Sequence, residues 1–271
     1  MNIHVTVYSA ADLYITKHFH PYNETDAGTG AKLSVLRIYY EERLKRTVSK
    51  EVQLYCTMSD DGNRFVLPSS EEVLCAQIVI TTLSMSAHLD HLGLRGRFSH
   101  IFLDEAGQAL EAEAITPLAL ASSSTCVVLS GDHKQMSPTV YCRKARTKKF
   151  HVSLLERLFV HYRKLNLLNC NAVMLHRNYR SCGEIVEFLS TAFYQQRQCL
   201  VASRGGKPAV ASDDHKPALS FYCAEGQEEV DGCSYSNLAE IEEITQAVVK
   251  FQSSLKHEDI CVVSYYSSQV C

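Results

Sequence analysis

Two short segments carry residues able to do chemistry. In Ile101-Phe102-Leu103-Asp104-Glu105-Ala106-Gly107-Gln108, two adjacent carboxylates and an amide follow three apolar residues. The apolar run reads as a buried strand, and its polar continuation falls at the carboxyl end, where open α/β sheets bind ligands. An Asp in that place can hold the magnesium ion of a nucleotide, and the Glu after it can orient and deprotonate an attacking water. The same pair could instead cap the next helix, whose amino terminus favours anions. The second segment, Cys126-Val127-Val128-Leu129-Ser130-Gly131-Asp132-His133-Lys134-Gln135-Met136-Ser137-Pro138, repeats the design. Gln135 could hydrogen-bond a phosphate or the attacking water. Alternatively the stretch is a tight turn, with Gly131 for backbone freedom and Asp132 as a local cap. Their placement one crossover apart favours a shared site over two accidental turns.

The rest of the chain supplies elements able to position these segments. Apolar runs recur at Ile3–Tyr8, Ala76–Ile80, Ile101–Leu103, Cys126–Leu129, Val173–Leu175, Leu219–Cys223 and Ile260–Val263. Several are β-branched and nearly continuous, as buried parallel strands are. Helical periodicity lies between them, at Ala10–Phe19, Gln108–Ala121, Val152–Tyr162, Ser181–Phe193 and Asn237–Phe251. The last opens on Asn237 with Glu240 three residues on, the spacing of a capping box. Strands alternating with helices predict parallel, doubly wound α/β domains. Pro21–Leu33 and residues 201–217 read as polar loops. Glu41–Lys50 reads most simply as a solvated helical face. Residues 139–150, holding Arg143, Lys144, Arg146, Lys148 and Lys149, read as an exposed connection between two α/β halves.

Composition narrows the class. The 271 residues carry 46% hydrophobic and 21% charged side chains, enough apolar material for a core, which excludes wholesale disorder. The net charge of −3 means that any nucleic-acid contact must come from a local basic surface. None of the 11 cysteines forms a C-x-x-C pair, which argues against a zinc ribbon, and the odd number argues against a disulfide framework. Reduced thiols fit a cytoplasmic setting, with the nucleus as a second one. The pairs His18-x-His20 and His88-x-x-His91 read as surface histidines rather than metal ligands. No run of 18 apolar residues occurs, so no membrane span and no membrane partner are expected.

Taken in order, the motifs resemble those of superfamily 1 helicases of the Upf type. DEAGQALE and LSGDHKQMSP are similar to motifs II and III. LHRNYRS at Leu175–Ser181 resembles motif IV, Ser9-Ala10-Ala11-Asp12-Leu13 resembles motif Ia, and Val79-Ile80-Thr81-Thr82 resembles the segment after it. GQEEVDGCSYSNLAEIEEI and ICVVSYYSSQV resemble the later strand regions. The strings SAADLYI and DEAGQALE bring the helicase with zinc finger subfamily nearest. The resemblance covers nearly the whole chain. It implies two RecA-like, P-loop NTPase type parallel-sheet domains: residues 1–140, a basic linker and helix at 141–165, and residues 166–271. It also implies ATP and Mg2+ as cofactors and single-stranded RNA, with DNA as an alternative, as the partner strand. Asp104 would serve the magnesium and Glu105 would be the catalytic base. Gln108 and Gln135 would sense the γ-phosphate and water, beside Gly131 and Asp132 of the same turn. Arg180 would act as an arginine finger, with Tyr179 near the base or sugar. Ser9, Thr81 and Thr82 would contact the RNA backbone, and Arg143 and Lys144 would add electrostatic affinity.

Departures from the family pattern shape a further expectation. None of the 12 glycines begins G-x-x-x-x-G-K-[ST], the loop whose lysine reaches the β- and γ-phosphates. Val7-Tyr8 stands where relatives have Ser-Asn, and Ser264-Tyr265 where they have Thr-Pro. No Cys/His spacing would hold the subfamily's zinc fingers. Both domains are therefore expected to be incomplete and the chain to be a fragment of a helicase with little ATP turnover alone. The alternative is a non-enzymatic interaction or coactivator module retaining helicase architecture, with protein partners in ribonucleoprotein complexes or among nuclear receptors. An L-x-x-L-L box would favour that alternative, and the sequence has none.

Overall fold

The computed structural model describes residues 4–7, 11–25, 32–194, 199–203, 219–252, 255–256 and 259–269. It divides into two compact units, Met1–Val173 and Met174–Cys271.

The first unit is built on a five-stranded sheet. Its strands are β1 (His4–Val7), β2 (Val35–Arg37), β3 (Ile78–Thr81), β4 (His100–Leu103) and β5 (Cys126–Leu129). Their order is β2-β3-β1-β4-β5, and every pair is parallel. Alternation along the strands feeds two cores. Leu36 of β2, Val79 of β3 and Ile101 and Leu103 of β4 face one, with Val73, Leu89, Phe98, Leu120 and Leu154. Val35 of β2 and Ile80 of β3 face the other, with Ile15, Tyr39, Val52 and Phe65. Adjacent residues of one strand thus enter opposite layers, which is why these strands read as unbroken apolar runs. Each fully buried Leu or Phe contributes roughly 1.5–3 kcal/mol by leaving water.

β5 departs from the buried strand expected for Cys126–Leu129. It lies at the edge of the sheet, and Val127 and Val128 remain 40% and 38% exposed. A parallel strand is buried only when both its flanks and faces are covered, and β5 is flanked only by β4 among the described residues.

The helices form close to where the periodicity puts them. Ser69 caps Ser70–Cys75 in a closed capping box with Glu72. Ser153 caps Leu154–Lys164 by accepting from the Glu156 amide at 3.2 Å. Gln108–Ala121 contracts to Glu111–Leu118, because Gln108–Leu110 belong to the turn after β4. Glu41–Lys50 is no single helix: a 3-10 turn, Lys45–Thr47, is followed by a separate short helix, Lys50–Gln53.

In the second unit the helices Gly183–Tyr194 and Leu238–Gln252 match expectation. Asn237 caps the latter through Ala239 N–H, at 3.1 Å. Glu240 does not close the box. Its carboxylate accepts instead from Gln269, whose Oε1 takes the Asn237 N–H at 2.7 Å. The runs Val173–Leu175, Leu219–Cys223 and Ile260–Val263 do not form hydrogen-bonded strands. Val173, Phe221 and Val263 are each more than four-fifths exposed, so these runs lack the covered flanks that a parallel strand needs. The parallel pair in this unit is β6 (Arg177–Asn178) with β7 (Val201–Ala202), and β8 (Glu229–Asp231) pairs antiparallel with β9 (Ser234–Ser236). Much of the 201–217 loop lies outside the described residues. No helix among the described residues is long and apolar enough to cross a membrane.

Candidate active site

Strand register fixes where the chemistry sits. Thr81, Val7, Leu103 and Leu129 are neighbours in one row across β3, β1, β4 and β5. The residues that follow them, Thr82, Asp104 and Ser130 among them, therefore share the carboxyl edge of the sheet. Adjacent strands lie about 4.8 Å apart, so the turns after β4 and β5 are immediate neighbours.

Two glycines bring those turns into contact. Ala106 N–H donates to Ser130 O at 2.8 Å, and Ser130 N–H donates to Leu103 O at 2.8 Å. A Cβ on Gly107 would stand 2.7 Å from the Asp132 carbonyl oxygen. A Cβ on Gly131, whose φ is +151°, would stand 3.0 Å from the amide nitrogens of Ala106 and Gly107. Only chains without side chains at both positions can approach so closely. Gly131 was legible as a turn residue; the matching demand on Gly107 was not, because it arises from the facing strand.

Within this paired turn the polar groups are organised. Glu105 takes a left-handed backbone, φ 51°, unusual for a residue with a side chain. Its carboxylate accepts from Gln108 Nε2 at 3.1 Å, and its carbonyl from Gln108 N–H at 2.9 Å. Asp132 accepts from Lys134 N–H at 2.9 Å and from Gln135 Nε2 at 3.0 Å. Thus Glu105 orients Gln108, and Asp132 orients Gln135, two matching carboxylate–amide pairs on adjacent strand ends. Asp104 is half-buried and makes no hydrogen bond or ion pair among the described residues. That leaves its oxygens available to a hydrated cation, as a magnesium ligand requires. No cluster of three His, Cys, Asp or Glu able to hold a metal alone exists among the described residues.

The helix Leu154–Lys164 buttresses the site. Leu155 Cδ2 would lie 3.3 Å from a Cβ on Gly131. His133 packs on Phe159 with ring centroids 4.6 Å apart, and burial holds its imidazole below the usual histidine range. Arg157 grips Glu111 at both carboxylate oxygens, at 2.8 and 2.6 Å, and keeps that carboxyl below its ordinary value.

The other predicted residues fall as follows. Thr81 is fully buried and donates to the Thr82 carbonyl at 3.4 Å, so its hydroxyl is a core group and cannot meet RNA. Thr82 is exposed, and its hydroxyl accepts from Met85 N–H at the start of the next helix. Ser9 lies outside the described residues. Arg143 and Lys144 are exposed. In the second unit, Tyr179 is 70% exposed, and the Arg180 guanidinium is exposed with no partner among the described residues. The Asn178 side chain accepts from the Arg180 and Ser181 amides at 2.9 and 2.8 Å and fixes that turn. His20 and His88 are half-buried and bonded to Tyr55 Oη and Pro68 O, so neither is a free surface ligand.

Sequence reasoning missed the role of Asp12. Its carboxylate holds Arg37 Nε at 3.0 Å, and the guanidinium, 6% exposed, lies 4.2 Å from the centre of the Tyr39 ring. Asp12 thereby ties the helix after β1 to β2.

Residues 37–143 and 150–271 each match an AAA domain family, and such domains imply nucleotide use. The "Probable helicase with zinc finger domain" of mouse is 40% identical over 97% of the chain, and that of zebrafish 42% over 97%. Human "3'-5' exoribonuclease HELZ2" is 33% identical over 95%, and human "RNA helicase Mov10l1" 30% over 88%. The chain spans only 13% of the mouse helicase's own length, 9% of human HELZ2 and 21% of human Mov10l1. With AAA domains along both parts and helicase-named relatives across nearly all of it, the chain carries two AAA-type helicase domains and is similar over them to superfamily 1 helicases of the Upf type.

Proposed function

We propose that these residues are the core of an ATP-driven motor that acts on single-stranded RNA. The observation that carries this reading is the paired turn. A free Asp104, a Glu105–Gln108 couple and an Asp132–Gln135 couple meet at one sheet edge and are locked by two glycines. Asp104 would hold Mg2+ brought with ATP, which would neutralise phosphate charge. Glu105 accepts the proton of the attacking water, and Gln108 and Gln135 orient water and γ-phosphate. Arg180, exposed and without a partner among the described residues, would supply positive charge to a transferring phosphoryl group, as the resemblance implies, with Tyr179 next to it in sequence. We read residues 1–140 and 166–271 as the two RecA-like domains; of the intervening 141–165, the helix Leu154–Lys164 packs on the first. Reduced cysteines support a cytoplasmic or nuclear site of action.

The 271 residues contain no G-x-x-x-x-G-K-[ST], so phosphate cradling on this reading is supplied from outside them. RNA-stimulated ATP turnover tests this in two arms. The chain alone should match its Asp104→Asn/Glu105→Gln variant; turnover well above that variant would overturn the need for an external cradle. A chimera carrying residues 37–269 in the mouse helicase relative should turn over ATP, and the same double substitution should abolish it. A fully active double variant would overturn the site.

A further inference from the structure

The segment Tyr141–Phe150 carries a dense run of positive charge with no acidic residue among it. Between Asp132 and Glu156 the sequence has no acidic residue, and Arg143, Lys144, Arg146, Lys148 and Lys149 crowd into seven positions. All five are exposed, and none has an ion-pair or hydrogen-bond partner for its charged group among the described residues. Two aromatic rings bracket them: Tyr141 is 95% exposed and Phe150 58%. No side chain of the segment is buried among the described residues, so packing within them explains neither the charges nor the rings.

Its backbone adds an independent sign. The short helix Arg143–Thr147 ends in a Schellman turn, with Phe150 N–H donating to Ala145 O at 3.2 Å and Lys149 N–H to Arg146 O at 2.9 Å. The left-handed position of that turn, φ 64°, is filled by Lys149 where glycine would be unstrained. A cation stands at a position where glycine would be unstrained, an outlier that points to a role for its charge at the surface.

We infer that Tyr141–Phe150 is a binding surface for single-stranded nucleic acid, in which the five cations take successive phosphates and Tyr141 and Phe150 stack on unpaired bases. The two rings decide the occupant. A duplex keeps its bases stacked and paired, and an acidic peptide offers no flat faces for the rings, whereas an unpaired strand offers both phosphates and bases. The inference rests on the reading of this chain as an RNA-directed motor and extends it to residues beyond Arg143 and Lys144.

Binding of the intact chain to a fluorescent oligo(U), without nucleotide, tests it by anisotropy over a salt series. Five phosphate contacts predict a slope of log K against log[salt] near −3.5, at about −0.7 per contact. Lys144→Gln/Lys148→Gln/Lys149→Gln should cut the slope by about 2 and weaken binding at least tenfold. Tyr141→Ala/Phe150→Ala should weaken it at least fivefold with the slope unchanged, because stacking is uncharged. Lys149→Gly should raise Tm while weakening binding a few-fold, which separates charge from folding. Binding unchanged in the triple variant overturns the proposal. Loss in the triple variant with none in the aromatic one, or equal affinity for a poly-Glu peptide or duplex RNA, overturns the single-stranded assignment. Because no ATP is present, these results stand apart from those at Glu105.

Discussion

Gly107→Ala should destabilise the first unit by separating the turns after β4 and β5. A Cβ there would stand 2.7 Å from the Asp132 carbonyl oxygen, a backbone atom that no rotamer change can move. Ordinary carbon–oxygen contact needs about 3.3 Å, so the turns must part by roughly 0.6 Å. The Ala106–Ser130 hydrogen bond, 2.8 Å long, lies at the same junction and would stretch with it. Overpacking of this kind costs about 1–3 kcal/mol, or roughly 3–9 °C of Tm for a unit of this size. Gly62→Ala is the control: its φ is +65°, but nothing lies within 4 Å of the added Cβ, so it reports backbone strain alone, about 1 kcal/mol. Gly107→Ala/Gly131→Ala should fall short of the sum of its parts, since both intrude on one junction. Urea denaturation of the four variants measures all of this. A Gly107→Ala protein within about 0.3 kcal/mol of wild type would refute the claim that close approach positions the site.

Three further outcomes follow from the same structure. Asp12→Ala leaves the buried Arg37 guanidinium without its carboxylate and should cost about 1–3 kcal/mol by urea denaturation, with Asp12→Asn recovering part of it. Arg157→Ala breaks a largely exposed pair with Glu111 and should cost only about 0.5 kcal/mol, the smaller for added salt. His133 is held below its ordinary pKa by burial, so the unfolded chain binds its proton more readily. Its contribution is fully present above about pH 6.5 and is lost as pH falls from there through the depressed folded value. Replacing His133 with Gln should flatten Tm between pH 5 and 7, as calorimetry would show.

What the sequence made legible is what depends on local pattern. β4 and its DEAGQ turn, the Ser153–Lys164 region and the Asn237 cap follow from periodicity and cap chemistry. Three features depended on partners that local pattern cannot name. β5 reads as a buried strand because Val127 and Val128 are β-branched, but its edge position exposes them. Thr81 reads as a phosphate-binding hydroxyl at a strand end, yet the register of β3 puts it inside the core. The demand for glycine at 107 comes from Asp132, twenty-five residues away in sequence. The unformed strands of the second unit show the same limit: an apolar run specifies a strand only when another strand covers it.

The most direct test of the account is single-turnover and steady-state ATP hydrolysis by the mouse-relative chimera carrying Glu105→Gln. A carboxylate that accepts the water's proton is worth about 10²–10⁴ in rate, while contributing little to ground-state binding. The account predicts that RNA-stimulated kcat falls by at least a hundredfold and that Mg2+-dependent ATP binding stays within about threefold of the parent. A kcat within fivefold of the parent, with binding intact, would contradict it.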